Sequence, residues 1–199
     1  METEKMNRKR AYSIKVIREA LLELLKTKPL SKITVTDICK QADVNRTTFY
    51  ANYEDIYDLL RSIVQELYEK IQKVLVQYYT LDGLSYYKLL FKTLEENADA
   101  CYIALRISKQ EYKAMNVDFQ YSSMKWVRQW RAAQGSSLKS RIVIDYLLAG
   151  NQSIINNWLD NNLDIPAEDL AEQVHLINIQ LLENNNLIQY PHPRKFAED

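Results

Sequence analysis

Apolar residues recur at three- and four-residue spacing early in the chain: Ile14, Ile17, Leu21, Leu24 and Leu25 share one helical face between residues 8 and 28, and Pro29 closes that helix. Thr34 followed three residues later by Asp37 predicts a capping box opening a second, short helix to about Ala42. Asp43 and Val44 then make a tight turn, and Asn45 is suited to N-cap a third helix that carries Arg46, Thr47, Thr48, Phe49, Tyr50, Ala51 and Asn52. The capping spacing repeats at Asp55 and Asp58, ahead of a fourth, long helix to about Tyr79. Two short helices joined by a turn, behind a longer one, form a helix-turn-helix pattern. If Ile38, Val44 and Phe49 face inward onto Leu21 and Leu24, then Arg46, Thr47, Tyr50 and Ala51 are left on the outer face.

Beyond Gly83 the periodicity predicts helices near 85–96, 98–107, 109–133, 137–161 and 167–184, about nine helices in all. The expected class is all-α, with a helix-turn-helix unit over 1–60, a larger helical unit over 61–185, and a flexible tail over 186–199. From Leu138 to Trp158 apolar residues occupy nearly the whole circumference, so that helix needs cover on two sides. A second copy can supply one of them. The expected dimer interface is Ile142, Tyr146, Ile154 and Trp158 with Leu170, Val174, Ile177 and Leu181 of the following helix. A purely internal core is the alternative.

Composition narrows the chemistry. Three glycines and four prolines in 199 residues favour long helices and exclude a glycine-rich phosphate cradle. No apolar run is long enough for a membrane span, the N-terminus is charged, and the expected location is the cytoplasm. Cys39 and Cys101 lack metal-ligand spacing, and His175 and His192, the two histidines, belong to no catalytic pattern. We therefore expect no enzyme, no metal and no cofactor. The formal charge is zero, and residues 1–60 carry eleven Lys and Arg against nine Asp and Glu, so charge alone does not point to nucleic acid.

The outer face of the third helix does point there, because a helix fits the major groove. Arg46 presents two donors in the geometry that guanine O6 and N7 accept, and it can equally serve a phosphate. Thr47 and Thr48 suit phosphates or a thymine methyl, although one of them can instead support the cap. Tyr50 reaches a backbone phosphate, and Asn52 either does the same or ends the helix. Lys5, Arg8, Lys9 and Arg10 read as a basic arm before the first helix, and Thr36 lies where a hydroxyl and backbone amides can hold a phosphate.

The run from Ile33 to Ile38, then Ala42 to Tyr53 with its Thr48-Phe49-Tyr50 core, then Leu59-Leu60, resembles the signature of the tetracycline-repressor (TetR) family over about a quarter of the chain. Asn45 to Leu60 is most similar to regulators related to the dihydroxyacetone-kinase operon activator. The resemblance implies a dimeric regulator of double-stranded DNA with a near-palindromic operator, in which Thr36, Arg46, Thr47, Thr48, Tyr50 and Asn52 face DNA. Two positions depart from the pattern: Asp43 replaces a usual glycine, and Ile56 a frequent lysine. Residues 85–130 are rich in aromatic and soft side chains, and Tyr87, Phe91, Tyr102, Met115, Phe119 and Trp126 are candidates to line a pocket for a small apolar or aromatic effector. The plainer alternative is ordinary core. A repressor relieved by such an effector is the expected function, and a helical regulator or adaptor controlled by a protein partner is the alternative.

Overall fold

The computed structural model describes residues 2–77, 81–107, 132 and 137–187, and these hold eight α-helices and no strand. The all-helical class expected from periodicity is the class observed. The chain forms two compact units, the first of which holds the chain through Glu66 together with Ile103 and the residues just after it. The second begins at Leu67, runs to Tyr102 and includes the last two helices.

In the first unit, α1 spans Glu2–Thr27, α2 Val35–Gln41 and α3 Arg46–Tyr50, with a 3-10 turn at Leu30–Lys32. α1 starts well before residue 8, so Lys5, Arg8, Lys9 and Arg10 are turns of a helix and form no arm ahead of it. The reason is local: this stretch has no Gly or Pro, and Glu2 and Glu4 sit at the positive end of the helix dipole. α2 opens with both halves of the capping box in place: Asp37 N–H donates to Thr34 Oγ1 at 3.1 Å and Thr34 N–H to Asp37 Oδ2 at 2.9 Å. Beyond its last residue Gln41 and C-cap Ala42 the chain turns at Asp43, whose φ of 51° lies in the left-handed region. There Val44 N–H donates to the Cys39 carbonyl at 3.0 Å and Asp43 N–H to that of Lys40 at 3.5 Å, the paired bonds of a Schellman cap. Ile17, Leu21, Ile38 and Phe49 are fully buried, while Val44 and Leu24 are half-buried.

α4 spans Ile56–Gln77, its residues through Glu66 belonging to the first unit and the rest to the second. Its start follows the expected pattern, with Asp58 N–H donating to Asp55 Oδ1 at 2.7 Å. The second unit continues with α5 (Gly83–Glu96), α6 (Ala98–Ala104) as far as Tyr102, α7 (Leu138–Asp160) and α8 (Ala167–Glu183). The helix expected over 109–133 lies outside the described residues apart from Ala132, which is helical. α5 and α8 are packed together, and Lys88 of α5 ties them further by pairing with Glu168 and Glu172 of α8 at 2.5 and 2.9 Å. Asn178 of α8, buried at the same contact, donates to Tyr87 Oη at 2.8 Å and to Asn151 Oδ1 of α7 at 3.1 Å. A buried amide must be satisfied in this way, so the network fixes how α8 sits against its neighbours.

The expectation that α7 is apolar around its circumference acquires a direction. Val143, Ile144, Leu147 and Trp158 are buried, whereas Leu138, Ile142 and Tyr146 are 71%, 58% and 70% exposed on one stripe of i, i+4, i+8 spacing. On α8, Leu176 and Ile177 are exposed as well. Trp158, Leu170 and Val174 are not interface surface in this structure: they are buried in the chain's own core, with Trp158 edge-on to Phe91 at 5.6 Å and its Nε1 donating to the Ile165 carbonyl at 2.7 Å. Ile154 and Leu181 are half-buried, Leu181 against the cluster of Ile144, Leu147 and Leu182. Asn186 and Leu187, placed in the tail by sequence, instead close α8: Asn186 has φ 55°, Leu187 N–H donates to the Leu182 carbonyl at 2.9 Å, and the Leu187 side chain packs on that same cluster. Residues 188–199 lie outside the described residues. No described helix is long and apolar enough to cross a membrane.

Candidate nucleic-acid interface

α3 is five residues long, and its orientation follows from one side chain. Phe49 is fully buried and contacts Tyr53, itself buried, at a ring separation of 5.9 Å, so the α3 positions on the opposite side must face outward. Arg46, Thr47, Tyr50 and Ala51 are exposed, Tyr50 to 51%, and so is Thr36 on α2. Asn45 caps the helix as its sequence predicts: Thr48 N–H donates to Asn45 Oδ1 at 2.7 Å, and Thr48 Oγ1 reaches the same oxygen at 2.9 Å. Thr48 is therefore the threonine that supports the cap. Thr47 keeps its hydroxyl on the open face.

Arg46 and Tyr50 stand one turn apart and touch. Arg46 Nη2 donates to Tyr50 Oη at 3.4 Å, and the guanidinium carbon lies 5.9 Å from the ring centroid, within cation–π range. The Tyr50 hydroxyl raises the Arg46 pKa above its usual value; the guanidinium is charged at any physiological pH in either case. Thr34 holds the Asp37 carboxyl below the ordinary carboxylate range through side-chain and backbone hydrogen bonds, with Lys28 and Lys40 adding to the effect. Asp37 thus stays ionised near neutral pH, yet its charge is turned into the cap.

Arg8, Lys9 and Arg10 are exposed on α1. Arg10 Nε donates to Asn52 Oδ1 at 3.1 Å, joining α1 to the C-terminal end of α3 across 42 positions of sequence. This link has no local signature, since neither residue sits at a spacing that refers to the other. Asn52 is half-buried, unlike the other outward-facing candidates.

Of the candidate effector residues, Met115, Phe119 and Trp126 lie outside the described residues. Phe91 is buried against Trp158, Tyr87 is edge-on to Tyr86 at 5.3 Å and bonded to Asn178, and Tyr102 is half-buried. Two clefts of the second unit, about 400 and 550 Å³, are lined instead by charged residues such as Lys70, Lys73 and Glu96 in the first and Lys88, Lys92 and Glu168 in the second. Among the described residues no group of His, Cys, Asp or Glu is arranged to hold a metal ion.

A capped pair of short helices, with a polar and cationic face turned outward from a hydrophobic pivot, defines the class: a helix-turn-helix unit carried on an all-helical chain. Comparisons with known proteins agree. The chain has the fold of TetR-family transcriptional regulators. It superposes on the fatty acid degradation regulator FadR from Bacillus halodurans with a TM-score of 0.61 at 18% identity, covering 84% of this chain and 94% of that one. The dihydroxyacetone kinase operon activator DhaS gives 0.51 at 19% identity, covering 86% and 97%. A TetR transcriptional regulator from Streptococcus agalactiae 2603V gives 0.52 at 21% identity, covering 88% and 98%. In sequence, 59 residues are 34% identical to an uncharacterized helix-turn-helix transcriptional regulator, YxbF, from Bacillus subtilis (strain 168), amounting to 30% of this chain and 16% of that protein. These similar proteins are named as regulators or, in one case, as an operon activator. No family model matches the chain.

Proposed function

We propose that the protein is a sequence-specific, DNA-binding transcription regulator of the TetR type, with residues 1–60 as the DNA-binding unit and 61–185 as the regulatory and dimerisation unit. The observation that carries this reading is the outward presentation of Arg46, Thr47 and Tyr50 about the buried Phe49, beside Thr36 and the exposed cations of α1. Arg46 reads a base edge or holds a phosphate, Thr47 and Tyr50 hold the backbone, and Arg8, Lys9 and Arg10 neutralise flanking phosphates.

The working form is a homodimer. The exposed stripe of Leu138, Ile142 and Tyr146 on α7, with Ile177 on α8, supports this: large apolar groups aligned along two adjacent helices gain by meeting their copies across a two-fold axis. Two recognition helices would then meet major-groove faces about 34–36 Å apart, or a multiple of that, on a near-palindromic site. The finer reading is a cytoplasmic repressor released by a small apolar or aromatic molecule that binds among the aromatic residues of the second unit.

The test is selection from a random-sequence duplex pool by the full-length chain, followed by a titration of the enriched duplex at several salt concentrations. We expect a near-palindrome to enrich and Arg46→Ala to relax preference at one position of each half-site, at a cost of about 1–3 kcal/mol. A folded protein that enriches no sequence refutes the proposal. Transcription from the selected site, with and without the protein, decides the direction of control.

A further inference from the structure

Asn52 occupies a place where direct contact with DNA is the obvious assignment, yet its hydrogen bonds give it a different task. At the end of α3 the chain tightens: Ala51 N–H donates to the Thr47 carbonyl at 2.9 Å, but Asn52 N–H turns to the Phe49 carbonyl at 3.0 Å, which also accepts from Tyr53 N–H at 3.0 Å. The Thr48 carbonyl is thereby passed over by the backbone donor that would continue the helix. The Asn52 side chain takes that place, with Nδ2 donating to Thr48 O at 2.8 Å. Because the amide nitrogen is committed inward, the amide oxygen is the end turned toward α1, where it accepts from Arg10 Nε at 3.1 Å. An outward carbonyl oxygen suits a cation and repels a phosphate oxygen, which needs a donor.

Arg10 is the complementary half. A guanidinium offers two edges, and the Nε bond to Asn52 leaves the terminal nitrogens free to face an anion in fixed orientation. No other partner of Arg10 is present among the described residues. We propose that Asn52 is a positioning residue for DNA binding: it holds Arg10 of α1 against the end of the recognition helix, so that Arg10, not Asn52, grips a backbone phosphate. This rests on the DNA-binding reading above and adds the division of labour between the two residues.

The test uses the full-length chain and a fluorescent duplex enriched from a random pool by the wild-type protein. Binding is titrated over a series of salt concentrations for wild type, Arg10→Ala, Asn52→Ala, the double variant, and Arg10→Lys both alone and combined with Asn52→Ala. Because the homodimer carries two copies of Arg10, Arg10→Ala is expected to weaken binding on the order of tenfold per half-site, the value for one exposed charge-assisted hydrogen bond, and on the order of a hundredfold for the dimer. It should also lower the salt slope by about 1.8, about 0.9 for each of the two lost phosphate contacts. Asn52→Ala should reproduce most of both effects although it removes no charge, and the double variant should be no worse than Arg10→Ala alone. Arg10→Lys, which keeps the charge but lacks the second edge, should cost several-fold with Asn52 present and almost nothing once Asn52→Ala has been made. Additive losses in the double variant, or an unchanged salt slope in Asn52→Ala, would overturn the inference while leaving DNA binding intact. If the wild-type chain enriches no duplex, the DNA-binding reading fails and takes this one with it. A helix-content and melting comparison of each variant separates lost folding from lost binding, and Asn52→Ala melting before it can be titrated is answered by Arg10→Lys alone, which leaves Asn52 in place.

Discussion

Replacing Asp43 with glycine tests the turn that sets the angle between α2 and α3. Its φ of 51° places a Cβ where an L-residue is strained, at about 1–2 kcal/mol for an ordinary side chain and nearer 1 for Asp, whose short polar group tolerates the region. Asp43 is exposed, so removing its side chain opens no cavity. Glycine relieves the strain but gains freedom in the unfolded chain, which costs about 0.5–1 kcal/mol. The two effects leave a net change between zero and about 0.5 kcal/mol in favour of the folded state. For a chain of this size that is a rise in melting temperature of at most about 2 °C. Asp43→Ala should melt below wild type, and Asp43→Val, whose branched Cβ is least tolerant of positive φ, lower still. The assay is thermal unfolding followed by far-ultraviolet circular dichroism, with every variant at one protein concentration because self-association shifts the midpoint. Wild-type-like melting of Asp43→Val, or a fall of more than about 4 °C in Asp43→Gly, would refute the left-handed turn and with it the α2–α3 geometry.

Three further outcomes are expected. Ile142→Glu combined with Tyr146→Glu changes two exposed positions, so the chain should stay folded while sedimentation equilibrium moves from dimer to monomer at micromolar concentration; a persistent dimer would place the interface elsewhere. Both thiols are buried, and burial pushes that of Cys101 up to about 12, so Ellman's reagent should react with neither in the native protein and with both in denaturant; rapid native labelling of Cys101 would contradict its position. Asp37 has a carboxyl pKa lowered by folding, so its contribution is present above the unfolded value of about 3.9 and disappears as pH falls through the lower folded value. The melting difference between wild type and Asp37→Asn should therefore shrink as the solution is acidified below about pH 4, and a difference that grows on acidification would reverse the sign of this argument.

Local chemistry makes the helix-turn-helix legible in the sequence. A capping box needs Thr34 and Asp37 at one spacing, a left-handed turn needs a tolerant residue at 43, and a short helix needs Asn45 ahead of it; each of these is a contact among neighbours, and each is present. The outward face of Arg46 and Tyr50 follows in turn, because burying Phe49 leaves a five-residue helix no other way to lie. Where sequence and structure differ, a distant partner or a boundary is at stake. The basic residues near the N-terminus read as an arm, since hydrophobic periodicity begins only at Ile14, but helix propensity extends α1 without apolar help.

What the order of residues determined by itself is the set of elements, their caps, and which side of α3 is polar. Tertiary structure alone decided that Trp158, Leu170 and Val174 face their own core while Ile142 and Tyr146 do not, because an all-apolar helix gives no sign of which side its neighbours will cover. It alone also joined Arg10 to Asn52, since a hydrogen bond between residues far apart in sequence exists only once hydrophobic burial has brought their helices together.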